Sequence, residues 1–169
     1  MGPSVATFAA GDFWKVEEVF RRLPGALATR VGFMGGSGPR PDRARVRAGG
    51  TGHAEVCEVV WDPERIGYED LLAAFWACHD PTESRPAAGP GGPERSILFV
   101  HDESHREIAE RSLAAVRRQA AARVGTEILP AATFWPAALE HQRRLARHRS
   151  PLAEPVGRGG ACPERSRVR

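Results

Sequence analysis

Lysine and tyrosine are nearly missing from this chain. Of 24 lysines and arginines only Lys15 is a lysine, and Tyr68 is the single tyrosine in 169 residues. Cysteine is scarce as well: Cys57, Cys78 and Cys162 are scattered, with no CxxC pair. An odd, sparse set argues against a disulfide scaffold and a structural zinc site, and casts Cys57 and Cys78 as small buried hydrophobes. His53, His79 and His141 match no standard zinc spacing, so no metal and no cofactor is expected. No run approaches the ~18–20 apolar residues of a membrane span, and no membrane partner is expected. The start "MGPSVATFAAG" lacks the basic opening and long apolar core of a signal peptide, which makes a cytoplasmic location the expectation. Net charge is only +3, and arginines do not interleave with aromatics as a nucleic-acid platform requires. Nucleic acid is therefore not an expected partner.

What is present is ordinary globular material, 41% hydrophobic and 27% charged, in a length that fits one domain with a proper core. Residues 4–10 form a short apolar strand ending at Gly11. From Phe13, apolar residues at 16, 19, 20 and 23 follow helical spacing until Pro24-Gly25. Residues 26–36 read as a strand, followed by a Gly/Pro/Arg-rich loop through Gly52. In the strand 53–63, alternation puts Glu55, Cys57 and Val59 on one face and Val56, Glu58 and Val60 on the other. A helix over 68–81, a loop over 82–94 and a strand over 95–102 come next. The longest helix spans 103–125, then a strand and turn over 126–137 and a terminal helix over 138–149. Residues 4–149 form one domain, and the Pro/Gly/Arg-rich tail 150–169 is expected to be flexible. Interleaved strands and helices indicate an α/β or α+β two-layer sandwich.

The stretch "AAGDFWKVEEVF" (9–20) places a Gly turn, an aspartate and an aromatic pair at a strand-to-helix junction. Together with "GFMGG" (32–36), "TGHAEV" (51–56), "DPERIGYEDLL" (62–72), "FWACHDPT" (75–82), "RSILFVHDE" (95–103) and "FWPAALEHQ" (134–142), it resembles the methionine sulfoxide reductase A family along nearly the whole chain. The resemblance implies a ferredoxin-like core with a mixed sheet and flanking helices. It implies peptide-methionine (S)-S-oxide reduction: a cysteine thiolate attacks the sulfoxide sulfur, an aromatic pair holds the methyl group, a buried glutamic acid protonates the oxygen, and two tyrosines assist. C-terminal cysteines then resolve the sulfenic acid, and thioredoxin restores the thiols. By position, Phe13 and Trp14 match the methyl pocket, Glu55 the proton donor beside His53, and Asp80 the aspartate of H-D-P. Cys162, in "GRGGACP", resembles the resolving-cysteine tail. Three positions depart from the pattern: Asp12 stands for the nucleophilic cysteine, and the two tyrosines fall near Arg43 and at Glu94.

Reducing a sulfoxide takes two electrons, which a thiol supplies by rising to the sulfenic acid or disulfide level. A carboxylate has no comparable ladder. Asp12 can be an acid, a base or an acceptor, and the start of a helix favours its charge. Two readings of it stand equal: an N-cap alone, or an N-cap that also acts in a site. If Asp12 and Glu55 line one pocket, their like charges are expected to raise at least one pKa. Three functions follow. The chain keeps a pocket for methionine sulfoxide or a related small sulfur compound without reducing it; or it runs non-redox acid–base chemistry through Asp12 and Glu55; or it reduces sulfoxides through Cys57 or Cys162, the one case in which thioredoxin has a role.

Overall fold

The strand 4–10 pairs on both sides, because its small alternating residues suit the middle of a sheet. In the computed structural model, which describes residues 2–82 and 91–148, β1 (Ser4–Ala10), α1 (Phe13–Phe20), β2 (Ala26–Met34), α2 (Arg43–Ala48), β3 (Ala54–Trp61), α3 (Tyr68–Cys78) and β4 (Ser96–Val100) follow in order. α4 (Glu103–Gln119), β5 (Glu127–Pro130), β6 (Trp135–Pro136) and α5 (Arg144–Arg147) complete the described chain. The sheet order is β5-β4-β1-β3-β2-β6. β1 is antiparallel to β3 and β4, β2 is antiparallel to β3 and β6, and β5 joins β4 in parallel. The central β4-β1-β3-β2 order is the ferredoxin-like arrangement, with β3 placed between the parallel strands β1 and β2.

Alternation sorts side chains onto two faces. Phe8, Cys57, Val59 and Trp61 meet Val16 and Phe20 of α1 and Leu71, Leu72 and Phe75 of α3. Phe8 and Phe20 stack with centroids 4.6 Å apart and planes 6° from parallel, which fixes α1 across the sheet. The opposite face, with Ala9, Val56, Ile97 and Phe99, is covered by Leu129, Ala131 and Phe134 rather than by a helix. This is the expected two-layer sandwich. Among the described residues no helix is long and apolar enough to cross a membrane.

Three expected elements differ. The loop through Gly52 contains α2, started by Asp42, whose side chain accepts from Arg45 N–H at 2.8 Å. The long helix stops at Gln119, where the chain turns extended; Val124 then bridges Thr82 and Gly125 N–H donates to Pro81, so tertiary pairing overrides helical propensity. The terminal helix shrinks to Arg144–Arg147, because Gln142 is turned toward β2 and Arg143 adopts a left-handed backbone with φ 50°. The expected tail and Cys162 lie outside the described residues.

Candidate active site

Gly11, at φ 97°, makes the sharp exit from β1 that a side chain would oppose. Asp12 follows as the N-cap of α1: its carboxylate accepts from Trp14 N–H at 2.9 Å, and its backbone carbonyl accepts from Lys15 and Val16. Such a cap is worth about 0.5–2 kcal/mol over alanine. The adjacent N–H, on Phe13, donates to Glu55 Oε2 at 3.3 Å. Thus two carboxylates meet successive backbone donors at one helix start, where the helix dipole favours negative charge.

Glu55 is wholly buried in β3. Its Oε1 lies 3.0 Å from Arg47 Nη1 and 3.4 Å from Arg43 Nε, and Arg47 Nη2 reaches Glu94 Oε1 at 3.1 Å. Burial raises the Glu55 pKa, while Arg43, the Phe13 N–H and Arg47 pull it down. Mutual repulsion with Asp12, the expected cause, is therefore replaced by desolvation opposed by two arginines. Arg47 escaped the sequence reading. It sits four residues after Arg43 on one helical face, visible only once Asp42 is recognised as a cap.

Phe13 is buried and Trp14 half-buried, with centroids 6.0 Å apart. Phe33 and His141 close the cluster, at 5.7 and 5.9 Å from the Phe13 ring. The Arg43 guanidinium carbon lies 4.1 Å from the Trp14 centroid and 5.6 Å from that of Phe13, and that of Arg144 lies 4.5 Å from Trp14. These cation–π contacts were not legible from sequence.

Asp12 opens onto a cleft of about 300 Å³ lined also by Lys15, Cys78, His79, Asp80 and Glu94. Asp80 is exposed and accepts from Thr82 N–H at 2.9 Å. His79 is tied down: Nδ1 donates to the Phe75 carbonyl at 2.8 Å, and Nε2 shares a hydrogen bond with Ser96 Oγ, 2.7 Å away. A second cleft of about 410 Å³ is lined by Arg43 together with Phe33, Asp42, Ala137, Glu140 and His141 among others. His53 lines neither cleft; its buried ring packs on Gly36, where a Cβ would come within 2.4 Å of Nδ1.

Of the two described thiols, Cys57 is the buried hydrophobe expected and Cys78 is not. Cys57 shares the Glu55 face of β3 but is fully buried in the main core, and burial pushes its thiol well above the ordinary value. It is not brought to the cleft. Cys78, read as a packed residue, is half-buried and lines the cleft beside Asp12.

A family model described as "Peptide methionine sulfoxide reductase" matches residues 4–157. The chain belongs to this family. Among its relatives, the peptide methionine sulfoxide reductase MsrA of Geobacter sulfurreducens is 46% identical over 143 residues, covering 83% of this chain and 88% of that protein. The crystal structure of reduced Mxr1 from Saccharomyces cerevisiae superposes with a TM-score of 0.78 at 27% identity, over 95% of this chain and 90% of that one. Mxr1 in complex with Trx2 matches with a TM-score of 0.60 at 25% identity, over 82% of each chain. Asp12, Phe13, Trp14, Arg43, Glu55 and Glu94 all belong to one neighbourhood.

Proposed function

We propose that this member of the methionine sulfoxide reductase A family retains part of a pocket for methionine sulfoxide, or a related small sulfur compound free or in a peptide, and does not perform thiol-based reduction. The observation that carries the reading is Asp12. It occupies the position that family resemblance gives to the nucleophile, bonded to Trp14 N–H, and a carboxylate cannot supply the electron pair. Phe13, Trp14 and the buried Glu55 support a surviving pocket. Thioredoxin, which Mxr1 meets in its Trx2 complex, would find at position 12 no sulfur to reduce. The test is incubation of the wild type with methionine-S-sulfoxide and dithiothreitol. No methionine above the protein-free control is expected; thiol-dependent turnover lost in Cys78→Ser or Cys162→Ser would overturn the reading.

A second reading is non-redox acid–base chemistry by Asp12 and Glu55. It is favoured by their attachment to adjacent N–H groups of α1 and by the raised pKa of Glu55. A substrate screen in which Asp12→Asn abolishes turnover supports it, and a chain inert toward every substrate opposes it.

A further inference from the structure

The Arg43 guanidinium lies over both rings of the Phe13–Trp14 pair. We propose that Arg43 decides which ligands Phe13 and Trp14 admit: it closes the pair to neutral methyl sulfoxides, which bind only when the guanidinium leaves. The proposal rests on the reading of the Phe13–Trp14 pair as a methyl pocket.

The geometry leaves little room. A carbon atom 4.1 Å from the Trp14 centroid is already at the contact distance of stacked groups, so an S-methyl group cannot use the same region of the ring. The occupant is also held more firmly than its competitor would be. Arg43 is about four-fifths buried, lies over both rings, and has its Nε 3.4 Å from the buried Glu55 carboxylate. A methyl sulfoxide offers the rings dispersion, whereas the guanidinium adds attraction between its charge and the π-face.

Displacement remains feasible. When Arg43 leaves, Glu55 keeps Arg47 at 3.0 Å and the Phe13 N–H, so the buried carboxylate is not stranded. The 410 Å³ cleft that Arg43 lines also carries Asp42 and Glu140, which supply negative charge for a swung-out side chain. Arg43 thereby acts as a specificity-determining residue, separate from the question of what Asp12 can do chemically.

The test is equilibrium binding of an uncharged probe, N-acetyl-methionine-S-sulfoxide amide, with Asp12 left in place. Calorimetry compares the wild type with Arg43→Gln, which removes the charge and the guanidinium that lies over the rings, and with Arg43→Tyr. Both variants are expected to bind at least tenfold more tightly than the wild type, and adding Trp14→Ala to Arg43→Tyr should remove the gain. Folded variants that bind no tighter than the wild type would overturn the proposal. A measurement on the unmodified protein stands independently of any variant: the Arg43 Nε–H resonance should be displaced by the aromatic ring currents, and a shift typical of a solvated arginine would also overturn it. Turnover by the wild type would sink the loss of reduction; no binding of the probe by the wild type or by either variant would sink the methyl-pocket reading, and binding of equal strength by all three would sink the role of Arg43.

Discussion

Arg47 holds the buried Glu55 carboxylate at 3.0 Å while its second nitrogen holds Glu94 at 3.1 Å. Arg47→Ala leaves Glu55 with Arg43 and one backbone donor. Because Arg47 is 41% exposed, the expected loss is about 1 kcal/mol rather than the ~3–5 kcal/mol of a fully buried pair. The Glu55 pKa should rise further, since one of the groups lowering it is gone. Urea denaturation and carboxyl NMR titration check both; a fall in the pKa would contradict the assignment of Arg47 as its partner.

Glu17 of α1 is buried, accepting from Thr29 Oγ1 at 3.1 Å and from Arg143 N–H at 2.8 Å. Burial is the main cause of its raised pKa. A carboxyl raised on folding binds more protons in the folded state than in the unfolded one. Its contribution is therefore fully present below the unfolded value near 4.5 and is lost as pH climbs through the folded value. The stability of the wild type minus that of Glu17→Gln should fall from pH 4 to pH 7.5. A difference that grows with pH would reverse the sign and the assignment.

Gln142 replaces a strand at the edge of β2: its Oε1 accepts from Val31 N–H at 2.8 Å, and its Nε2 donates to the Val31 and Ala137 carbonyls at 2.8 and 2.9 Å. Gln142→Ala strands the N–H of fully buried Val31 and should destabilise by about 1–3 kcal/mol. Gln142→Glu turns an acceptor toward two carbonyls and should be no better. Thermal melts that match the wild type would show that this edge has another partner.

The two described thiols should differ in reactivity. Cys78 is half-buried in the Asp12 cleft, whereas Cys57 is fully buried with its thiol pushed well up. With iodoacetamide at pH 8, peptide mapping should find Cys78 labelled well before Cys57. Equal rates in folded protein would contradict the placement of Cys57.

The sequence motifs made the α1 junction legible because its signals are local: a glycine turn, a capping residue and helical spacing follow one another between Gly11 and Phe20. The layer arrangement was legible through alternation in β3 and the ordered family motifs. α2 was not, because Gly, Pro and Arg around it resemble a loop, and its helix is fixed by the single cap Asp42. Arg47 was lost with it. The role of Gln142 depends on β2 and the placing of Arg143 on Glu17 of α1, each more than a hundred residues away, as the early end of α4 depends on residues 81–82. For the thiols, alternation gave the correct face for Cys57 but could not show that this part of the face lies under α1 and α3.

The most direct measurement compares wild type, Asp12→Cys and Asp12→Cys/Arg43→Tyr with methionine-S-sulfoxide and dithiothreitol. Absent turnover in the wild type and methionine production by the double variant would show a pocket that lacked only its sulfur and an open door. Methionine formed by the wild type as fast as by the double variant would contradict the account, because an aspartate at position 12 would then be no barrier to reduction.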